Sequence, residues 1–433
     1  MKKKMCTIIT SILLVFIIIA SNAYAENNKK VVLFVTNTMN YSDLTHMTSV
    51  KKLIDTGAIG LMNTRTAGKS DMYKSCVTIG SGTRAEASYN TIKSFAIDDK
   101  IKGIYKRRTG IELDKSGIVN IDMARLINLN IEGEYGAVSG EIGKTLHDQG
   151  KKTAVIGNGD VEDSYLRLGS LIAMDENGYI DDGYIESDIL IDDNDYPFGM
   201  KTNYKFLVSK FKDLYNKNDF IVIDIEDMAR LEKYKVNLSE KMYERMNEQM
   251  IKDIDLFISD CLKEVNLENT RLILLNPYAK TTDIKNGNIL TPLIMVGDGI
   301  QRGILTSATT RREGIIGNVD VAPSIIEYFG GPPKKMSGHP LEIIENNDNL
   351  NYLTKLNNKT IAVSEQRYPV LSGFAIFEIF ASIIALIMIL MKKKINASIF
   401  YFFTNILLST MVVPFVLLII PLFGTRNLFV TYT

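Results

Sequence analysis

LTSATTRREGIIGNVDVAPSIIEYF, residues 305–329, is the stretch whose reading decides the fold. It starts as a loop carrying Arg311 and Arg312 side by side, passes a turn at Gly314 and Gly317, and ends in a short helix. Asp320 stands where its carboxylate would cap that helix, accepting first-turn N–H groups that have no intrahelical partner. Pro323 is tolerated in the same turn because its missing N–H costs nothing there. Gly330 stops the helix and Pro332-Pro333 keep it stopped. A basic loop, a glycine turn and a capped helix together suit an anion at the end of a sheet.

Outward from this stretch, the two ends of the chain read as membrane-targeting segments. Lys2, Lys3 and Lys4 precede an apolar run from Ile8 to Ala20, and Ala23-Tyr24-Ala25 has the small-x-small pattern of a signal peptidase site, so residues 1–25 read as a signal peptide. Gly373 to Met391 and Ile399 to Phe423 are each long enough to cross a hydrocarbon core of about 30 Å. Lys392, Lys393 and Lys394 lie between them and place that short loop in the cytoplasm. Export of the N-terminal part and an inward-then-outward pair of spans give one topology. The bilayer is therefore an expected partner, with the large domain outside the cell membrane. Glu378 within the first span reads as a residue near the wet interface, and Pro414 as a kink in the second.

Residues 26–345 remain as the exported domain, 346–370 as a linker and 371–433 as the membrane part. The whole chain has 50 Lys+Arg against 50 Asp+Glu. Setting aside Lys2–Lys4, Lys392–Lys394 and Arg426 leaves the exported part net acidic, which argues against a nucleic-acid surface. Of three cysteines, Cys76 and Cys261 survive processing, too few for a disulfide scaffold. Both read as buried thiols. Nothing in the sequence fixes an oligomeric state.

The exported domain alternates strands and helices. Val31 to Val35 is a buried-strand run, followed by a helix capped by Ser42 or Asp43 with Met47, Val50 and Ile54 on one face, and by a strand from Ala58 to Met62. This spacing is a βαβ unit, so the fold class is α/β, a mainly parallel sheet sandwiched by helices. Ligands of such sheets gather at the carboxyl ends of strands, which places Asn37 at the mouth of any site. Gly80 and Gly82 in VTIGSGTRA would bring backbone N–H groups and Arg84 towards an anion. Residues 88–134 read as an insertion or lid. Thr153 to Ile156, Phe220 to Ile223, Arg271 to Leu275 and Leu293 to Val296 are further strands, and Asn177-Gly178 is the turn of a hairpin over Ala173 to Tyr184. Ser239 caps a long helix whose Met242, Met246, Met250, Ile254, Phe257 and Cys261 face inward.

The strand and helix at the start, VTIGSGTRA, and VDVAPSIIEYFGGPPKKMSGHPL together resemble the alkaline phosphatase superfamily, particularly its phosphoglycerate mutase-like and phosphodiesterase-like branches. LMNTRTAG, VTIGSGTRA and LTSATTRREGIIGNVDVAPSI are similar, more closely, to a group of bacterial membrane proteins with an exported domain of this fold. The first likeness implies two metal ions held by Asp and His, with a Ser or Thr nucleophile between them. Position by position, this chain departs from that pattern. Asn37 stands where the first aspartate belongs and Met72 in the nucleophile seat. Leu231 stands where a histidine should follow Asp227, Asn276-Pro277 replace an Asp-His pair, and neither Gly317 nor Asn318 is a histidine. The three histidines, His46, His147 and His339, lie off the ligand positions and read as structural.

Three functions stay open. A membrane-tethered domain with a degenerate metal site would bind an anionic cell-envelope ligand through Gly80, Gly82, Arg84, Arg311 and Arg312. Alternatively Arg311 and Arg312 are a solvated loop or pair with Asp160 or Asp227. A working hydrolase or transferase on envelope phosphoesters would instead need Asp160, Glu226 and Asp227 as carboxylate ligands for a divalent metal, with Ser70 or Thr78 as nucleophile. A third reading makes the domain the receptor part of a membrane transport or assembly factor.

Overall fold

The computed structural model describes residues 29–162, 164–333, 335–390 and 396–419. The expected signal peptide, Lys392–Lys394 and the end of the second apolar run lie outside the described residues. The chain forms two compact units. One runs through Lys280 and resumes over Leu290–Leu353; the other comprises Thr281–Ile289 and the chain from Thr354 onward.

In the first unit the strands are β1 (Lys30–Thr36), β2 (Ala58–Asn63), β3 (Ser94–Ala96), β4 (Ile118–Asn120), β5 (Thr153–Ile156), β6 (Tyr179–Ile180) and β7 (Asp182–Tyr184). They continue as β8 (Leu190–Asp192), β9 (Met200–Thr202), β10 (Phe220–Ile225), β11 (Thr270–Leu275), β12 (Leu290–Gly297), β13 (Gly303–Ser307), β14 (Ile315–Gly317) and β15 (Leu341–Glu345). The main sheet has ten strands in the order β15-β13-β2-β12-β11-β1-β10-β5-β7, with β14 also on β2. β1 lies parallel to both β10 and β11, while β12 and β15 run antiparallel to their neighbours. The expected mainly parallel α/β sheet is what forms. VVLFV has no polar alternation because β1 is central: Val31 to Thr36 are all buried, as a strand covered by helices on both faces must be. Asn37, Glu226 and Asn276 follow the carboxyl ends of β1, β10 and β11 and so share one end of the sheet.

Local departures from expectation have identifiable causes. The helix after β1 breaks at Met47 into Tyr41–His46 and Thr48–Thr56. Its cap is Asn40, whose side chain accepts from Asp43 N while the Asp43 carboxylate accepts from Asn40 N, a reciprocal box. VTIGSGTRA is the end of a helix, Met72–Ser81, capped at the start by Asp71 and at the end by left-handed Gly82. The Asn177-Gly178 turn exists, but its second arm splits: β6 pairs with β4 and β7 with β5, so no two-stranded hairpin forms. Residues 88–134 carry β3, β4 and the helices Asp99–Thr109 and Met123–Ile131, around a small cluster of Ile101, Tyr105, Val119 and Ile121. On the helix Glu240–Leu262 the inward stripe holds from Met250 to Cys261, but Met242 is exposed. Its anchoring contacts, Asp255 to Ser49 N and the Phe257 ring to Tyr204, fall in the C-terminal half. Cys76 and Cys261 are free and buried.

The expected linker is helical. After β15 a single helix runs Asn349–Leu390, 42 residues with Pro369 inside, and Asn349 Nδ2 fastens its start to the carbonyls of Ile54 and Gly57. This helix and Ala397–Val416 are long and apolar enough to cross a membrane. Thr410 ends one helix and Val413–Ile419 begins another, so the second run is interrupted beside Pro414.

His147 ties two loops together. Its Nδ1 faces Asp175 at 3.2 Å and its Nε2 faces Asp181 at 2.9 Å. Burial lowers its pKa, but the bonds to the two carboxylates outweigh this and push it up to about 9. A raised histidine stabilises fully below its unfolded value near 6.5 and loses that contribution as pH rises through 9. Asp181 is desolvated yet held below its usual value by His147, so its share is lost in acid instead. The first unit is therefore expected to lose stability between pH 6.5 and 9, and His147→Gln to flatten that slope. Urea midpoints across the range check it; an unchanged slope in the variant would refute the assignment.

Candidate functional site

At the carboxyl end of the sheet, β1 delivers Asn37, β10 delivers Asp224 with Glu226 just beyond, and the helix Asp227–Tyr234 delivers Arg230. All four are buried. The apolar run FIVIDI forces this placement, since Asp224 rides within a central strand and cannot turn to water. Asn37 Nδ2 donates to Glu226 Oε1. Gly169 N donates to Asp224 Oδ2 at 2.8 Å. The Glu226 and Asp224 carboxyls act on each other, and one proton held between them would relieve the pair. Glu226 Oε2 and Asp224 Oδ1 are buried and have no hydrogen-bond partner among the described residues. Burial raises both acids, Asp224 to about 6 and Glu226 well above its ordinary value, with the Asp224 charge adding to the latter. Cys76, on the helix Met72–Ser81, is buried nearby; burial and the two carboxylates push its thiol well above the usual range. It is no nucleophile.

The other expected carboxylates are already engaged. Asp160 accepts from Arg167 Nε at 3.0 Å and Nη2 at 2.9 Å. Arg167 is 2% exposed, also reaches Glu186 at 3.0 Å, and lies against the rings of Phe95 and Tyr165, which themselves meet edge-on. Asp227 accepts from Thr202 Oγ1 at 2.9 Å and the Tyr204 hydroxyl at 2.5 Å, with Arg230 at 3.4 Å. Neither acid pairs with Arg311 or Arg312. Among the described residues no three His, Cys, Asp or Glu side chains are grouped to hold a metal ion. A two-metal site does not fit this donor set: the carboxylates at hand answer to arginine, tyrosine or each other. Asn37 Oδ1 and Arg230 Nε are the buried polar atoms left over beside the acid pair.

The nucleophile candidates fare differently from one another. Met72, in the expected seat, is partly buried against the core. Thr78 is fully buried and its Oγ1 accepts from Ala85 N at 3.0 Å, a loop-holding role. Ser70 Oγ accepts from Thr66 N at 3.3 Å ahead of the helix, and is half-buried.

Gly80 and Gly82 serve the helix they end and its packing. Gly82 donates its N–H to Thr78 O as the helix ends, at φ 63°. A Cβ on Gly80 would come within 2.6 Å of the Leu171 carbonyl, so this glycine allows close packing of the helix Ser170–Ala173. Gly82 O instead accepts from Ser337 N and Gly338 N. The loop they begin continues to His339, whose N–H donates to Asp320 at 3.0 Å. Asp320 also receives Ser307 Oγ at 2.7 Å, Gly317 N at 2.8 Å and Thr309 Oγ1. It therefore organises the basic loop; it makes no side-chain cap bond to the helix Val321–Tyr328. The segments of Arg84 and Arg311-Arg312 are thus joined through one hydrogen-bond network centred on the Asp320 carboxylate. Arg84 itself donates to the Tyr135 hydroxyl at 3.3 Å and stacks on that ring. Arg311 and Arg312 are exposed and make no ion pair among the described residues, and Arg311 has φ 52°, a conformation rare for a branched-off side chain. Sequence reasoning missed Asp224, Arg167 and Arg230. The signal was present for Asp224 alone, as a charge inside an apolar strand run.

No family model and no curated protein matches the chain. Among solved structures, a protein in the alkaline phosphatase superfamily from Vibrio parahaemolyticus is 14% identical, with 72% of this chain and 69% of that one covered, at a TM-score of 0.43. Lipoteichoic acid synthase LtaP from Listeria monocytogenes is 12% identical, covering 75% and 76%, at 0.41. Murine ectonucleotide pyrophosphatase/phosphodiesterase 5 is 10% identical, covering 72% and 97%, at 0.41. The solved structures to which the chain is similar thus include members of the alkaline phosphatase superfamily, the family its motifs resemble.

Proposed function

We propose that the exported part is a membrane-tethered domain that binds an anionic cell-envelope ligand and does not hydrolyse it. The observation that carries this reading is the engagement of the carboxylates: Asp160 belongs to Arg167, Asp227 to Tyr204 and Thr202, and Asp224 to Glu226. Two-metal phosphoryl chemistry needs such groups free and charged. Arg311 and Arg312 supply exposed positive charge on the loop after β13, and Arg84 adds to it from the loop after Gly82. The cell membrane is the proposed location, with the domain outside and the basic loop between the spans in the cytoplasm.

A second reading, a single hard cation at the mouth, is favoured by one observation: Asn37 Oδ1, Asp224 Oδ1 and Glu226 Oε2 are buried oxygens without a donor of their own. Metal analysis of the purified full chain, paired with an assay on an activated phosphodiester, separates the two. Substoichiometric metal and no turnover with added magnesium, manganese or zinc is the expected result. Stoichiometric metal, with turnover lost in Glu226→Gln, would overturn the binding reading.

A further inference from the structure

A cavity of about 590 Å³ opens at the other end of the sheet from the acid pair. Arg271, second residue of β11, lines it; Met295, Leu305 and Ile343 of β12, β13 and β15 give it an apolar wall; Gln301 and Glu327 also line it. Its size is that of small-molecule sites, which combine apolar walls with a few polar groups.

Arg271 is the positively charged residue of the cavity's lining. Its guanidinium carbon lies 4.2 Å from the centre of the Tyr328 ring, and its Nη2 reaches only the Asp298 carbonyl, at 3.4 Å. Its Nε is buried with no partner, and no carboxylate forms an ion pair with it among the described residues. Asp298 spends Oδ2 on the Tyr328 hydroxyl at 3.0 Å, and Glu327 is exposed. Burial lowers the arginine's pKa, while Tyr328, Asp298 and Glu327 act the other way. A half-buried guanidinium lacking a counter-ion is costly, and an anion in the cavity would relieve it. Asp298 and Glu327 close by repel a dianion about twice as strongly as a monoanion, so the single charge is favoured. Gly299 allows the approach: a Cβ there would meet Arg271 Nη2 at 3.2 Å.

We propose that this cavity binds a small organic monocarboxylate, its anion against Arg271 and its apolar body against Met295, Leu305 and Ile343. The site is separate from the mouth and does not depend on what the mouth does.

The test is calorimetric titration of the full chain in detergent with benzoate, and with benzyl alcohol as its neutral counterpart. Saturable one-site binding of benzoate is expected, weakened at least about tenfold for benzyl alcohol and by Arg271→Met, which keeps the stem over Tyr328. Ile343→Trp, which fills the apolar side and leaves the arginine in place, is expected to remove binding as well. Equal affinity for the neutral compound, indifference to both substitutions, or no saturable binding of benzoate would each overturn the proposal. Should either variant misfold, the comparison of the two compounds on the unaltered protein still decides it.

Discussion

Arg167→Ala is expected to destabilise the first unit by about 3–5 kcal/mol, the usual cost of leaving a buried charge without its partner. Arg167 is 2% exposed and donates through Nε and Nη2 to Asp160, through Nη1 to Ser94 O at 2.6 Å, and to Glu186. Its guanidinium also packs against the rings of Phe95 and Tyr165, 4.9 and 4.8 Å away, so truncation loses packing as well as charge. Removing it strands Asp160, whose other bond, from Leu166 N at 2.8 Å, holds the loop after β5. The double variant Arg167→Met with Asp160→Asn should recover part of the loss, because no uncompensated charge remains. Proteolytic susceptibility of the full chain across a urea series gives the free energies. A loss below about 1 kcal/mol for Arg167→Ala would mean that the pair is solvated and that Asp160 is free for a ligand.

This network also shows what the sequence could and could not convey. β1, β5, β10 and β11 were legible because central parallel strands bury both faces and so appear as unbroken apolar runs. The antiparallel sense of β12 was not, since direction leaves no mark in a run such as LTPLIMVG. VTIGSGTRA misled because glycines and hydroxyls denote a turn in local statistics; here Gly80 meets a neighbouring carbonyl and Thr78 faces inward to hold Ala85. The missing histidines of the resembled family were visible residue by residue. Where each remaining carboxylate points was not: Asp227 meets Thr202 and Tyr204 from more than twenty residues earlier in the chain, and Arg167 turns back on Asp160 within one irregular loop that has no periodicity to reveal it. Asp160 and Asp227 stood as candidate ligands in the sequence, and in the structure each accepts from donors of its own.

Glu226→Gln is expected to stabilise the unit at neutral pH by about 1–4 kcal/mol, the range found when buried ionisable groups give way to uncharged ones of like volume. Folding forces Glu226 to keep its proton: burial and the neighbouring Asp224 charge hold its pKa well above 4.5. A raised carboxyl contributes its stability fully below the unfolded value and loses it as pH climbs towards the folded one, at about 1.4 kcal/mol per pH unit. At pH 7 the native protein has already lost much of that contribution. Glutamine mimics the protonated acid without titrating, its amide donating to Asp224 Oδ1 and its oxygen accepting from Asn37 Nδ2 as Glu226 Oε1 does. The variant should therefore match the native protein near pH 4, exceed it at pH 7, and show a shallower decline between. A metal-binding mouth demands the opposite. There Glu226 would be a charged ligand, and the glutamine variant would be less stable than the native protein whenever metal is present, with the difference erased by a chelator. Urea titrations of both proteins at pH 4.5 and 7.5, with and without chelator, read this directly. Destabilisation reversed by chelator would remove the shared proton from Asp224 and Glu226 and put a cation in its place.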